Sequence, residues 1–260
     1  MSRTGFYIER VGVVQRLNPM TKLAAALLLI AATFLLPDLL TAPLIFLAAL
    51  VPVSLLANVG RSFFGVVAKI MLPIAISLLL VQGLFFPIPN PTPVPVGPLT
   101  FRLEGLLFAA RIAGRLLVLA GAPLLIFLTT HPIDLVQSLI ARGVPRSIGY
   151  ILLVAMQLVP SIAERASAVA DTQRSRGLET QGNLLMRARG LLPLISPLIV
   201  GVLLEVEERA AALESRAFLA AGPKTTLRDV PDSPAQRWAR WALVLVFVAL
   251  VTWRVALVFS

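Results

Sequence analysis

Cysteine is absent from this chain and histidine occurs once, which excludes disulfides and thiol chemistry and argues against a protein-built zinc site or a metal-handling pathway. Charge is scarce as well. Only 14% of residues are Asp, Glu, Lys or Arg, against 58% apolar residues and a mean hydropathy of +0.89. That balance exceeds what a soluble core of this length needs and predicts an all-α, multispanning integral membrane protein. The 260 residues suffice for about five spans and one sizeable extramembrane region. No phosphate-binding G-x-x-x-x-G-K-[ST] loop occurs, so no nucleotide site and no cofactor are expected in this chain. No nucleophile stands beside a convergent base, and no acidic cluster has metal-ligand spacing. The net charge of +10 would suggest nucleic acid for a soluble protein, but here it reads as topology and an interaction face, with no nucleic-acid partner.

What is present is a series of long apolar runs. Arg3, Glu9, Arg10 and Arg16 precede the first run, and no small-residue cleavage site follows it, so it is expected to stay as a span. Asn18-Pro19 supplies an N-cap and a proline at the first helical position, and the run ends at Leu36 before Pro37-Asp38. The next runs are 39–57, closed by Asn58 and Gly60, and 66–86, interrupted by Gln82. Between Pro87 and Pro98 the segment PIPNPTPVPVGP is dense in proline and uncharged, which predicts an extended loop. A fourth span is expected within 103–129. The fifth, 241–258, carries Trp238, Trp241 and Trp253 as an aromatic belt would.

Orientation follows from the basic residues. Arg3, Arg10, Arg16 and Lys22 cluster at the N-terminus, and thirteen of the 23 Lys and Arg lie between His131 and Arg240. The turn after the first run and the proline-dense loop carry none. This asymmetry predicts a cytoplasmic N-terminus and a cytoplasmic 131–237 region. The organisation expected is a four-helix transmembrane bundle over 1–130, cytoplasmic helices over 131–237 and a C-terminal transmembrane helix over 238–260. The apolar stretches 148–160 and 191–204 are short for spans and read as helices lying along the bundle base or packing on each other.

Arg111 and Arg115 are spaced i, i+4 on the fourth span. Their depth stays open: either they are buried functional charges, contacting the bundle or a partner, or the helix is tilted and they snorkel to the interface.

Within the basic region two arginine triplets stand forty residues apart, Ser175-Arg176-Gly177 and Ser215-Arg216-Ala217. Each closes an Ala-rich, charged helical pattern. In the first, Ala163, Ala166, Ser167 and Ala170 permit close helix crossing, while Glu164, Arg165, Asp171 and Arg174 leave a polar face. Gly177 is suited to the left-handed conformation that ends a helix. In the second pattern Glu205 and Arg209 are spaced for an i, i+4 pair. An arginine at a protruding helix end presents a planar, permanently charged fork to carboxylates or carbonyls.

The stretch TTHPIDLVQSLIARGVPRSIGYILLVAMQLVPSIAERASAVADTQRSRGLE resembles the signature region of the transmembrane T component of energy-coupling-factor transporters. The likeness rests on Thr129-Thr130, Pro132, Leu135, Leu139, Gly143, Pro145, Pro160, Glu164, Ala170 and Arg176-Gly177. The stretch LLPLISPLIVGVLLEVEERAAALESRAF is similar to the family's partner helix, with Ala217 where glycine is common. The resemblance implies a non-catalytic coupling subunit of an ABC-type importer. Its long, crossing coupling helices would dock through Ser175, Arg176, Gly177 and Ser215, Arg216, Ala217 onto two ATP-binding cassette subunits. It would transmit their closure to a separate substrate-binding membrane subunit for uptake of a vitamin or a transition-metal ion. Pro160 and Glu164 would contact the bundle or a partner.

Three alternatives stay open. Ala188-Arg189-Gly190 spells the family's commonest triplet more literally but precedes an apolar run, which suits a helix start or a lipid-surface anchor. An intramembrane enzyme or binding protein could use Arg111, Arg115, Glu104 and His131 on an anionic lipid head group, although His131 before Pro132 reads as structural or interfacial. A self-sufficient secondary transporter would be expected to show inverted repeats, and no such symmetry is apparent.

Overall fold

The computed structural model describes residues 12, 14–36, 38–89, 92–96, 99–176, 184–218, 220 and 232–259. Gly177, Pro37 and the N-terminal Arg3, Glu9 and Arg10 lie outside the described residues. Nine α-helical segments occur among those residues, in two compact units, one within Met1–Gly143 and Val230–Ser260, the other within Val144–Asp229.

The first unit begins with α1 (Pro19–Leu35). The Asn18 side chain accepts a hydrogen bond from the Met20 amide at 3.0 Å, and Pro19 occupies the first turn, where its missing N–H costs nothing. A second rod comprises α2 (Thr41–Ile45), a π-helical turn at Phe46–Leu50 and α3 (Val51–Leu56). Asn58, at φ 55°, adopts the left-handed conformation that reverses the chain into α4 (Gly60–Phe85). That helix starts ahead of the apolar run, because polar first-turn residues can sit outside the lipid. The proline-dense segment then departs from the simple loop expected for it. Residues Pro93–Val96 (β1) pair antiparallel with Leu99–Arg102 (β2), a two-stranded hairpin that leads directly into α5 (Leu103–Thr129). Alternate prolines suit such an edge ribbon, since only every second residue must donate to the partner strand. The Glu104 carboxylate anchors it, accepting from the Thr92 hydroxyl at 2.6 Å.

Helices α4 and α5 run antiparallel in close contact. A Cβ at Gly105 would lie 2.1 Å from the Gln82 carbonyl oxygen, so only glycine permits this approach. The core gathers Leu50, Ala57, Val59, Phe63, Val118, Ala122 and Leu128 from the second rod, α4 and α5. Phe46 stacks on Phe63 at 6.0 Å. At one end of the bundle the Lys22 ammonium, on α1, donates to the Thr129 carbonyl at 2.9 Å and the Thr130 hydroxyl at 3.2 Å. At the far end of α1 the Phe34 ring centroid lies 5.7 Å from the Arg115 guanidinium, midway along α5, so α1 and α5 are antiparallel.

The short α6 (Pro132–Ile140) follows, with His131 as its N-cap, Nδ1 accepting from the Ile133 amide at 3.3 Å. The last helix, α9 (Pro234–Phe259), lies parallel to α1: the Gln236 side chain accepts from the Asn18 amide at 2.7 Å, and Arg240 donates to the Thr21 hydroxyl at 3.0 Å. Asp232 accepts two hydrogen bonds from Arg240, both at 2.8 Å, and pairs with Arg142 at 3.3 Å beyond α6. The expected rods are therefore present and alternate in direction, with α1 and α9 pointing the same way.

The second unit is a pair of long helices, α7 (Arg146–Ser175) and α8 (Leu184–Ser215). The apolar stretch 148–160 and the charged stretch after it, separate in the sequence reading, form one continuous helix through Pro160. The same holds for 191–204 and the charged residues that follow. By length and composition α4, α5, α7 and α9 are able to cross a membrane, while α1 and the Thr41–Leu56 rod are apolar but shorter. This is a multi-pass membrane protein.

Candidate functional site

The helix pair α7–α8 is antiparallel, and among the described residues two contacts fix its register. Near the start of α7 the Tyr150 ring meets Phe218, just beyond α8, with centroids 5.1 Å apart. Midway along, the Arg165 guanidinium contacts the Glu205 carboxylate at 2.8 Å. Glu205 also accepts from Arg209 Nε at 3.0 Å and Nη2 at 2.6 Å, which is the expected i, i+4 pair one turn along α8. One carboxylate thus receives two guanidiniums from two helices. Hydrogen bonds from Arg209 and the charge of Arg165 hold the Glu205 carboxyl below its ordinary value, against the opposing effect of burial.

This junction is only partly legible in the sequence. Arg165 reads there as one of several charges on a solvated face, yet it reaches across to α8, while its neighbour Glu164 stays exposed. Of the small residues expected at the crossing, Ala166 and Ala170 are half-buried, whereas Ala163 and Ser167 remain exposed. Pro160 is half-buried inside α7. The crossing is made by long charged side chains more than by an alanine seam.

Both triplets occupy helix ends. Ser175 is the last residue of α7, its hydroxyl bonded to the Asp171 carbonyl at 3.1 Å, and Arg176 is the exposed C-cap, its amide donating to the Gln173 carbonyl at 3.0 Å. A cation there complements the negative end of the helix dipole. Ser215 likewise ends α8 and Arg216 follows it, exposed. Ala217 takes φ 50° despite being non-glycine. Its amide bonds the Glu214 carbonyl at 2.9 Å and the Phe218 amide bonds the Leu213 carbonyl at 3.0 Å, the paired bonds of a Schellman C-cap. The apolar contact that usually accompanies this cap is supplied by Phe218, which folds back toward Tyr150. Leu213, Phe218, Tyr150 and Ile151 line a cavity of about 450 Å³ beside this tip.

Because the helices are antiparallel, the two arginine tips lie at opposite ends of the pair. Each tip stands eleven residues beyond the Arg165–Glu205 contact, so at about 1.5 Å per residue they are separated by about 33 Å along the pair. The literal copy at Arg189 lies within the early turns of α8 and not at a helix end.

The remaining candidates do not converge. Glu104 and His131 bracket the 27-residue α5, about 40 Å apart, and each serves a local cap or hairpin. They therefore share no head group with each other. Arg115 is half-buried against Phe34 and Arg111 is exposed one turn away on α5.

Residues 11–227 match the family model described as Cobalt transport protein, CbiQ. Among curated proteins the chain is similar to the energy-coupling factor transporter transmembrane protein EcfT of Heliobacterium modesticaldum, 30% identical with 97% of each chain covered. The EcfT of Thermosediminibacter oceani is 27% identical over 95% of this chain and 96% of that protein. That of Acidaminococcus fermentans is 25% identical over 95% and 94%.

Proposed function

Since this chain belongs to the CbiQ and EcfT family of energy-coupling factor transporter transmembrane proteins, we propose that it is the lever between two ATP-hydrolysing subunits and a separate substrate-binding membrane subunit. The observation that carries this reading is the antiparallel α7–α8 pair with an exposed arginine at each far end. Two matched tips about 33 Å apart suit two copies of one kind of partner, one tip to each. Each guanidinium would enter a groove lined by carboxylates or carbonyls, where a planar fork binds more specifically than a lysine. Movement of the two partners toward each other would then rotate the helices about the junction at Glu205, and the apolar halves of α7 and α8 would carry that rotation to the membrane subunit.

The chain itself hydrolyses nothing in this scheme. ATP is bound by the partners, and the substrate, a vitamin or a transition-metal ion, is selected by the membrane subunit. The concentration of basic residues between His131 and Arg240 supports a cytoplasmic position for both tips.

The test is co-purification of ATPase subunits with membrane-inserted variants. Arg176→Glu and Arg216→Glu should each weaken retention, and together should abolish it along with uptake, while Arg189→Glu should leave both unchanged. Retention and uptake intact in the double variant would remove the lever reading.

A further inference from the structure

The two arginines on α5 have no place in the lever, and their surroundings give them one. Leu107, Arg111, Arg115 and Leu119 follow one another at four-residue spacing along a single face of α5. Leu107 is 43% exposed and Leu119 41% exposed, so this face looks away from the bundle. Among the described residues no carboxylate lies within ion-pair distance of either guanidinium. Among the described residues their one aromatic contact is that of Arg115 with Phe34.

The level of these residues is set by their neighbours. Lys22, near the start of α1, meets Thr129 at the end of α5, and Phe34, in the last turn of α1, meets Arg115 at its middle. The second rod begins at the same height, where Gly114 faces Pro43 and Ala42. Both α1 and the Thr41–Leu56 rod thus stop beside Gly114 and Arg115, while α4 and α5 continue for twelve more residues of α5, about 18 Å, to the hairpin. The 17 residues of α1 span about 25 Å and the second rod about 24 Å, both short of the roughly 30 Å hydrocarbon core. A step is therefore cut into the bundle at or inside the edge of the hydrocarbon. A bilayer meets such a short segment by thinning, which draws head groups down to the step.

We propose that Arg111 and Arg115 bind the phosphate of an anionic phospholipid at this step. Helical side chains lean toward the N-terminus, so both guanidiniums reach along α5 toward the hairpin end and the nearer interface. Two unpaired forks match a phosphate diester, and Leu107 and Leu119 flank them with apolar surface for the acyl chains. Phe34 holds the deeper guanidinium in place through its ring face. An anionic lipid is favoured over a zwitterionic one because it brings no ammonium to oppose the two cations.

Native mass spectrometry of the full chain, titrated with phosphatidylglycerol or phosphatidylcholine, tests this. Wild type should retain phosphatidylglycerol on the order of tenfold better than phosphatidylcholine, and Arg111→Gln with Arg115→Gln should abolish the preference. Equal retention of the two lipids by wild type, or an undiminished preference in the double variant, would overturn the proposal. Should the double glutamine variant fail to insert, Arg111→Lys with Arg115→Lys keeps the charge and loses the fork. That variant should reduce the preference at least threefold, and an unchanged preference would again overturn it. Crosslinking from position 111 in the assembled complex should reach lipid; a crosslink to a protein carboxylate would assign the pair to a protein partner instead.

Discussion

Arg165 on α7 and Glu205 on α8 meet at 2.8 Å midway between the two arginine tips, and the same carboxylate is held at 2.6 Å by Arg209 on its own helix. A carboxylate held from both helices therefore sits where a rotation of one against the other would be felt. The Glu205 side chain is only 14% exposed, whereas Arg165 is 42% exposed, so the carboxylate is the fixed member.

Glu205→Gln keeps the shape and removes the charge that both guanidiniums share. Transport is expected to fall several-fold while ATPase co-purification through the tips persists. Measuring uptake and retention on the same preparation separates the two, and a parallel loss of both would place Glu205 in assembly and not in transmission.

The same carboxylate sets a pH dependence. Its folded-state pKa is depressed below the ordinary 4.5 by Arg209 and Arg165, so its stabilisation is fully present above about that pH and is lost as pH falls through the lower folded value. Asp232, held below its ordinary 3.8 chiefly by Arg240, behaves alike between α6 and α9. The pairing of α7 with α8 should thus be constant from neutral pH to about 5 and loosen below about 4. As the chain has no cysteine, a single pair introduced at Tyr150 and Phe218 and spin-labelled at neutral pH can report this by the distance between the labels; a distance that lengthens between pH 7 and 5 contradicts the assignment.

Ala217 holds a left-handed backbone at φ 50°, a conformation that costs a residue with a Cβ about 1 kcal/mol. Ala217→Gly removes that strain and also frees the unfolded chain, so a net gain of up to about 1 kcal/mol is expected, with Ala217→Val destabilising instead. Thermal unfolding of the detergent-solubilised protein gives the sign. A destabilised glycine variant would mean that the cap is held by Phe218 packing and not limited by the backbone.

Gly105→Ala places a methyl group 2.1 Å from a backbone carbonyl oxygen of α4, which cannot rotate away as a side chain would. The two helices must separate, at a cost of about 1–3 kcal/mol, and the hairpin anchored by Glu104 shifts with them. Reduced yield of monodisperse protein is expected. Gly65→Ala, where no atom lies within 4 Å, should be tolerated and serves as its control.

Much of the fold was readable in advance because lipid imposes one rule on every span. A buried backbone must satisfy its own hydrogen bonds, so long apolar runs become helices, and Asn18-Pro19 starts one where the residues say it should. The helix end at Ser175 and Arg176 was readable because a charged, Ala-rich pattern stops there before Gly177, whereas that at Ser215 and Arg216 rested on the pattern alone, with Ala217 in place of a capping glycine. The pairing of Arg165 with Glu205 was not. Each residue has an ordinary role on its own helix, and only the antiparallel register brings them together.

Composition and local pattern were enough to specify a helical membrane protein with two arginine tips, because hydropathy and capping act over a few residues. Whether those tips stand together or apart, and whether Arg111 and Arg115 lie deep or at a step, depend on which helix ends are level with which. The tips are set apart by Arg165 with Glu205 and Tyr150 with Phe218, and the level of the α5 arginines is set by Phe34 with Arg115 and Lys22 with Thr129; these contacts join residues forty or more positions apart, and no local pattern encodes them.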